Sequence, residues 1–156
     1  MLVVGSAQSG CQIAEELYQS GRTVYLCVGS AVRAPRRYRG RDIWEWLNLV
    51  GFLDRTPHML PSPKARVLRA PQLSGARSGH SINLHQFARD GVVLLGRIQS
   101  VQDGMILLAP DLMENLARAD KSEVDQVKMI DGFIEKSGIA APQESLPVLR
   151  VGYNSR

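Results

Sequence analysis

The chain has 156 residues, of which 44% are hydrophobic and 22% are charged, and its net charge is +4. These values are ordinary for a single globular domain with a core of its own. No apolar run reaches the roughly 18 residues that a membrane helix needs, and the N-terminus lacks the basic and apolar segments of a secretory signal. Cys11 and Cys27 are too far apart for CxxC chemistry and indicate buried, reduced thiols in a cytoplasmic protein.

A strand–helix–strand unit opens the chain. Residues 2–4 form a short apolar run that predicts a buried strand, and a glycine turn over residues 5–10 follows it. The pattern then becomes helical up to Gly21, after which residues 23–28 are rich in β-branched and aromatic side chains and predict a second strand. Such a unit is parallel and right-handed almost without exception.

The remaining pattern mixes helices and strands. We predict, in chain order, a helix from residue 43 to Gly51 capped by Asp42, a short helix over 81–90 and a strand over 92–95. A hairpin turning at Asp103-Gly104 follows, and then a helix to Gly138, in one piece or two, begun by the capping-box pair Asp111 and Glu114. Together these elements predict an α/β fold, a Rossmann-like three-layer domain with a mostly parallel sheet, a β-hairpin and a long helix near the C-terminus. Residues 1–138 form this NAD(P)-binding domain, and residues 139–156 are expected to be a linker or tail.

The turn after the first strand is a candidate phosphate site. In the pattern GxGxxG the first glycine permits the tight turn, the second lets the backbone approach a pyrophosphate, and the third lets helix and strand pack closely. Gly5 and Gly10 fill the first and third places, and Ala7 fills the second. A purely structural turn, and a methyl group at Ala7 that prevents tight binding, both remain open.

The end of the second strand bears on the choice of cofactor. A site for NAD or FAD usually has an acidic residue there, about 20 residues after the turn, to bind the ribose hydroxyls. Here the chain reads Gly29-Ser30, and five arginines follow within nine residues: Arg33, Arg36, Arg37, Arg39 and Arg41. Cations without an acid favour a 2′-phosphate, and therefore NADP. The alternative interpretation is that the arginines belong to a solvated loop that binds no ligand. Nucleic acid is not expected as a partner, because no DNA-reading motif accompanies the arginines.

Several stretches resemble one enzyme family. These stretches are residues 3–10 together with 13–17, residues 33–43, residues 79–97, and the long segment that begins at Pro110. They are similar to the NADPH-binding domain of flavin-containing monooxygenase-like, FAD-dependent oxidoreductases, the class B flavoprotein monooxygenases. The resemblance extends over nearly the whole chain, to about residue 138.

This resemblance implies a set of cofactor-binding residues. Gly5, Ser6, Gln8, Ser9 and Gly10, in the turn that also contains Ala7, would hold the pyrophosphate of NADPH. Ser30 and Arg33 would lie nearest the 2′-phosphate, and Arg36 and Arg37 are the next candidates. No catalytic residue is assigned, and no histidine and cysteine spacing suggests a metal site.

The chain also departs from the family pattern. The first GxGxxG, which binds FAD, and the late Ala-Thr-Gly segment are both absent, so the resemblance implies a domain truncated at both ends. We expect it to supply hydride from NADPH to an FAD held by a missing domain, in cis or in trans, and to be inactive alone. The alternatives are an excised domain, a truncated gene product, half of a split enzyme, or a stand-alone, non-catalytic nucleotide-binding module. The oxidised substrate and the oligomeric state stay open.

Overall fold

The computed structural model describes residues 1–30, 32–59 and 71–148. The strands are β1 (Leu2–Val4), β2 (Tyr25–Cys27), β3 (Arg37–Tyr38), β4 (Arg41–Asp42), β5 (Leu73–Ser74), β6 (His80–Ser81), β7 (Val93–Leu95), β8 (Ile98–Gln102) and β9 (Met105–Leu108). The helices are α1 (Gln8–Gln19), α2 (Ile43–Leu49), α3 (Leu84–Arg89) and α4 (Leu112–Ser137), with short 3₁₀ turns at Pro57–Met59 and Ala76–Ser78. The chain is thus a mixed helix and strand protein with a long helix near its C-terminal end.

A three-stranded parallel sheet organises the first part of the molecule. Its order is β1-β2-β7, with Val3 opposite Leu26 and Leu26 opposite Leu94. Because paired residues in a sheet point to the same face, these three side chains form one row. All three are buried. The carboxyl ends of the three strands therefore meet at one edge, which is the edge where α1 begins.

The helices cover the face of the sheet that carries this row. The first core combines residues of the three strands with Cys11 and Ala14 of α1, Leu84 and Phe87 of α3, and Leu116 of α4. The opposite row is Leu2, Tyr25 and Val93, whose exposed fractions are 41%, 42% and 40%. This row stays partly exposed, and the predicted three-layer arrangement stays a prediction.

The other strands form small separate pairs. β3 pairs with β4, β5 with β6 and β8 with β9, each antiparallel. The β8–β9 hairpin turns at Asp103 and Gly104, whose φ angles of 50° and 76° fit the twisted two-residue turn that the sequence predicts. The prediction of one mostly parallel sheet therefore holds for three short strands, while the rest of the strand structure lies in these antiparallel pairs.

A second core lies beside α2 and the C-terminal half of α4. Ile43, Trp46 and Leu47 of α2 pack there with Ile130 and Ile134 of α4. The irregular segment 139–148 contributes Ile139, Ala141 and Leu146 to the edge of this core. Glu144 accepts a hydrogen bond from the Arg39 backbone N–H, and the carbonyl of Pro142 accepts one from Arg39 Nε at 2.9 Å. The described part of the predicted linker is thus packed onto the domain; residues 149–156 lie outside the described residues.

One helix spans both cores. α4 is continuous over its 26 residues, with Leu116 in the first core and Ile130 in the second. Of the two forms that the sequence allows, the unbroken helix is the one formed. Within the described ranges, no helix has the length and apolar character that crossing a lipid bilayer requires.

Candidate functional site

The turn between β1 and α1 depends on both of its glycines. Gly5 has φ +96° and donates its N–H to the carbonyl of Cys27 at 3.1 Å. This left-handed backbone favours glycine. A Cβ atom added to Gly10 would lie 1.9 Å from the carbonyl oxygen of Gly5. The helix can therefore approach the strand this closely only because residue 10 has no side chain.

The N-terminus of α1 is exposed and carries no acidic side chain. Ala7 is the N-cap residue, with extended backbone angles of φ −72° and ψ 178°, and its methyl group accepts no hydrogen bond. The first N–H groups of any helix have no partner within the helix. Ala7, Gln8 and Ser9 are all exposed, and the first turn contains no Asp or Glu. This end of the helix can therefore receive an anion through backbone N–H groups and the helix dipole.

Ser6 faces the interior instead of this surface. It is 2% exposed, and its hydroxyl accepts a hydrogen bond from the Gly29 N–H at 3.1 Å. Its carbonyl accepts hydrogen bonds from Cys11 Sγ at 3.2 Å and from Gln72 Nε2. Of the residues predicted to contact a pyrophosphate, Ser6 thus fixes the turn to the end of β2. The sequence alone gave no signal for Gln72, whose contact with the turn spans 66 residues.

Cys11 lies beneath the same turn. It is fully buried, and burial together with the nearby Glu15 carboxylate raises the pKa of its thiol to about 12. A thiol held protonated in this way is a poor nucleophile at neutral pH. Cys11 is therefore part of the packing that supports α1, in agreement with the prediction of a buried thiol.

Arg33 occupies a different environment from the one expected. Its side chain is 7% exposed, and its two terminal nitrogens lie 3.1 Å from Asp120 and 2.6 Å from Glu123, both on α4. Its backbone N–H donates to Ser122 Oγ at 2.8 Å. The sequence predicts that Arg33 lies nearest a 2′-phosphate; in the structure its guanidinium is paired with two carboxylates of the chain, and the assignment to a ligand stays a prediction.

The other arginines of the stretch also have internal partners. Arg36 Nε lies 2.8 Å from Asp42, and Arg37 donates to the carbonyls of Ser78 and Gly79. Arg39 pairs with Asp131 at 2.9 Å, and Arg41 lies 3.5 Å from Glu45. The basic stretch therefore fastens the segment 33–41 to the surrounding chain.

The end of β2 carries no carboxylate. Gly29 and Ser30 are half-buried there, and the side chain of Arg97, which follows β7, passes close to Gly29. A Cβ atom added to Gly29 would lie 3.9 Å from Cδ of Arg97. Sequence reasoning missed Arg97, although its place two residues after a predicted parallel strand is a usable signal for this edge of the sheet.

A separate cavity of about 250 Å³ is lined by Glu15, Tyr18, His80, Asp90 and Glu123, among others. His80 Nε2 lies 2.7 Å from Glu15, and Asp90 accepts hydrogen bonds from Tyr18 and Gln86. Three carboxylates make this cavity unsuited to a phosphate group. Within the described part of the chain, no three His, Cys, Asp or Glu residues are placed to hold a metal ion.

The glycine turn thus presents an exposed helix N-terminus, whereas each arginine of the stretch has a partner within the chain. No protein-family model, curated protein or solved structure matches this chain. Its function must be argued from the turn and the residues around it.

Proposed function

We propose that the chain is the NADPH-binding domain of a flavin-dependent, monooxygenase-like oxidoreductase with a Rossmann-like fold. The observation that carries the proposal is the contact of Gly10 with the Gly5 carbonyl at the start of an exposed, acid-free helix N-terminus. This is the arrangement through which dinucleotide-binding folds hold a pyrophosphate. The parallel order β1-β2-β7 supports it, because it matches one half of a doubly wound sheet.

The binding residues divide into two groups. Gln8, Ser9 and Gly10 offer backbone N–H groups to the pyrophosphate, whereas Gly5 and Ser6 hold the turn in shape. Ala7 keeps ordinary backbone angles, so its methyl group adds no strain. At the end of β2, the absence of a carboxylate from Gly29 and Ser30 favours NADP, because an acid there would repel the 2′-phosphate.

A flavin partner completes the proposed enzyme. NADPH held at the turn by Gln8, Ser9 and Gly10 would supply a hydride, and the FAD that would accept it would belong to a domain outside this chain, in cis or in trans. The exposed row of Leu2, Tyr25 and Val93 supports such a partner, since a second layer placed there would bury apolar side chains that now face water. The two free, buried cysteines favour the cytoplasm, where thiols stay reduced. The internal partners of the arginines support the expectation that nucleic acid is not a partner.

The test is calorimetric titration of the full chain with NADP and with NAD. We expect saturable binding of NADP, and weaker binding by the variant Ser9→Glu. The new carboxylate favours the helix itself but repels a phosphate about 4 Å away by about 1–4 kcal/mol, so affinity falls by about 5-fold or more. Gln19→Glu, at the other end of α1, is the matched control and leaves the affinity unchanged.

Two results would overturn the proposal. One is that the folded chain binds neither NADP nor NAD at millimolar concentrations. The other is that Ser9→Glu and Gln19→Glu bind NADP as tightly as the unaltered chain. Binding of NADP without turnover, even when a flavoprotein partner is added, would favour the non-catalytic module.

A further inference from the structure

Arg97 lies beside Gly29 because of the register of the sheet. Cys27 of β2 pairs with Leu95 of β7 in parallel, and Gly29 and Arg97 each follow that pair by two residues. Gly29 has no side chain, and the Arg97 stem passes over the space that a side chain would occupy. A cation that follows the third strand of the sheet thus lies beside the end of the second.

Asp111 holds Arg97 in this place. One carboxylate oxygen accepts the Arg97 backbone N–H at 3.0 Å, and the other accepts Nε–H at 2.6 Å. The bond from the Arg97 backbone is the main reason why the pKa of the Asp111 carboxyl is lowered from its ordinary value. The anion that orients Arg97 therefore stays ionised at neutral pH.

The surrounding backbone is fixed as well. A Cβ atom added to Gly96 would lie 1.9 Å from the carbonyl oxygen of Ala109, and the Ala109 N–H donates to the carbonyl of Arg97 at 2.7 Å. Asn115, in the first turn of α4, donates to the carbonyl of Val28 at 3.2 Å. The end of β2, the base of the hairpin and the start of α4 thus form one frame around the Arg97 side chain.

Arg97 keeps hydrogen-bond donors free in this frame. Its side chain is 60% exposed, and neither terminal nitrogen has a partner in the part of the chain that the structure describes. Arg33, by contrast, has both terminal nitrogens paired with carboxylates. At the edge where β2 ends, Arg97 is thus better placed than Arg33 to bind an incoming anion.

We propose that Arg97, oriented by Asp111, is the residue that recognises the 2′-phosphate of NADP beside Gly29 and Ser30. This inference rests on the proposed function and assigns the preference for NADP to a residue outside the arginine stretch. Two terminal N–H groups of a guanidinium suit a phosphate, which accepts paired, charge-assisted hydrogen bonds. The anchored Nε limits the freedom that the side chain would lose on binding.

The experiment compares Arg97→Ala with the unaltered chain by calorimetric titration with NADP and with NAD. We expect the variant to bind NADP roughly 10-fold more weakly and NAD with unchanged affinity, the low end of what a charged hydrogen bond contributes, because salt screens an exposed site. Arg118→Ala is the matched control, since Arg118 is also an exposed arginine paired with a carboxylate. Arg97→Lys keeps the positive charge but loses the two terminal nitrogens that bind a phosphate together, so we expect an intermediate NADP affinity.

The outcomes separate this inference from the proposed function. If the unaltered chain prefers NADP and Arg97→Ala keeps that preference, the inference is wrong and the function stands. An equal loss of affinity for NADP and NAD in Arg97→Ala, with an unchanged urea midpoint, also overturns the inference. Arg97 would then bind a part of the dinucleotide that both cofactors share. Failure of the unaltered chain to bind either cofactor overturns both proposals. If Arg97→Ala lowers the urea midpoint and Arg97→Lys does not, the test uses Arg97→Lys instead. Full NADP affinity in Arg97→Lys would contradict recognition of the 2′-phosphate by the paired N–H groups of the guanidinium.

Discussion

Gly10 has no room for a side chain. Because the Gly10 Cβ position lies 1.9 Å from a backbone oxygen, Gly10→Ala must push α1 away from β1. We expect the free energy of unfolding to fall by about 1–3 kcal/mol, as for other overpacked sites. Urea denaturation followed by circular dichroism measures this change.

Gly132 is the matched control for that substitution. It lies within α4, and a Cβ added there meets no atom within 4 Å. Gly132→Ala should raise the free energy of unfolding by about 0.5–1 kcal/mol, because alanine loses less conformational freedom in a helix. Equal effects of the two substitutions would contradict the close approach at Gly10.

The roles of the turn glycines could be predicted from the sequence, whereas the partners of Arg33 could not. The glycines of the turn were predictable, because their roles depend on neighbours within five positions. The partners of Arg33 were not, since Asp120 and Glu123 lie about 90 positions away and only folding brings them to it. A run of arginines predicts a nearby anion, but it does not say whether a ligand or the chain itself supplies that anion.

At the scale of elements, the local patterns predicted most of the boundaries. The strand–helix–strand unit occupies residues 2–4, 8–19 and 25–27, within a few positions of expectation. Asp111 is the exception among the predicted caps. It stands at the start of α4, but it makes no side-chain capping bond, because its carboxylate is engaged by Arg97. A capping-box pattern cannot reveal such a competing partner from another strand.

The docking of α4 onto the segment that begins at Arg33 gives a prediction at this scale. Arg33→Ala leaves Asp120 and Glu123 without their buried cation, and breaking one side of a buried ion pair typically costs about 3–5 kcal/mol. We therefore expect Arg33→Ala to lower the free energy of unfolding by about that amount. The ratio of NADP to NAD affinity should stay unchanged in whatever fraction remains folded.

Arg118→Ala again provides the comparison, in urea denaturation. Its ion pair with Glu114 lies on the surface of the same helix, so the expected change is within about 0.5 kcal/mol. If Arg33→Ala were as mild as Arg118→Ala while it abolished the preference for NADP, the original assignment of Arg33 to the 2′-phosphate would be correct and its structural role wrong.

For the molecule as a whole, the sequence predicted a mixed fold with a long terminal helix, and the structure has one. The sequence did not predict which faces of the parallel sheet are covered by other elements. Leu2, Tyr25 and Val93 alternate with buried neighbours, and an apolar residue at such a position predicts burial without saying which surface provides it. Helices α1 and α3 pack on the face that carries Val3, Leu26 and Leu94, whereas this row stays partly exposed.

The two cysteines report on the integrity of the whole fold. Cys11 is fully buried and Cys27 is 2% exposed, and burial raises the pKa of both thiols. We expect neither to react with iodoacetamide at pH 8 in the native chain, and both to react in urea. The variant Ser20→Cys, which places a thiol at an exposed position, is the positive control, and mass spectrometry counts the labels.

The same thiols set the direction of one pH effect. Burial raises the pKa of the Cys11 thiol from its ordinary value of 9.0 to about 12 in the folded chain. The folded state therefore binds the proton more tightly, and this contribution to stability is complete below pH 9 and falls as the pH rises above it. Native labelling of Cys11 at pH 8 would contradict both the burial and the shift.

The position of α4 along the chain has a consequence for how the protein is made. A ribosome adds about 5–20 residues each second and releases the N-terminal part first. Leu116, near the start of α4, is the last residue of the first core, whereas the second core also needs Ile130 and Ile134, nearer the end of the helix. Until that part of α4 is made, Ile43, Trp46 and Leu47 of α2 lack these two partners. The nascent chain therefore passes through a stage in which chaperones can bind it, and that stage ends only when a single late helix joins both cores.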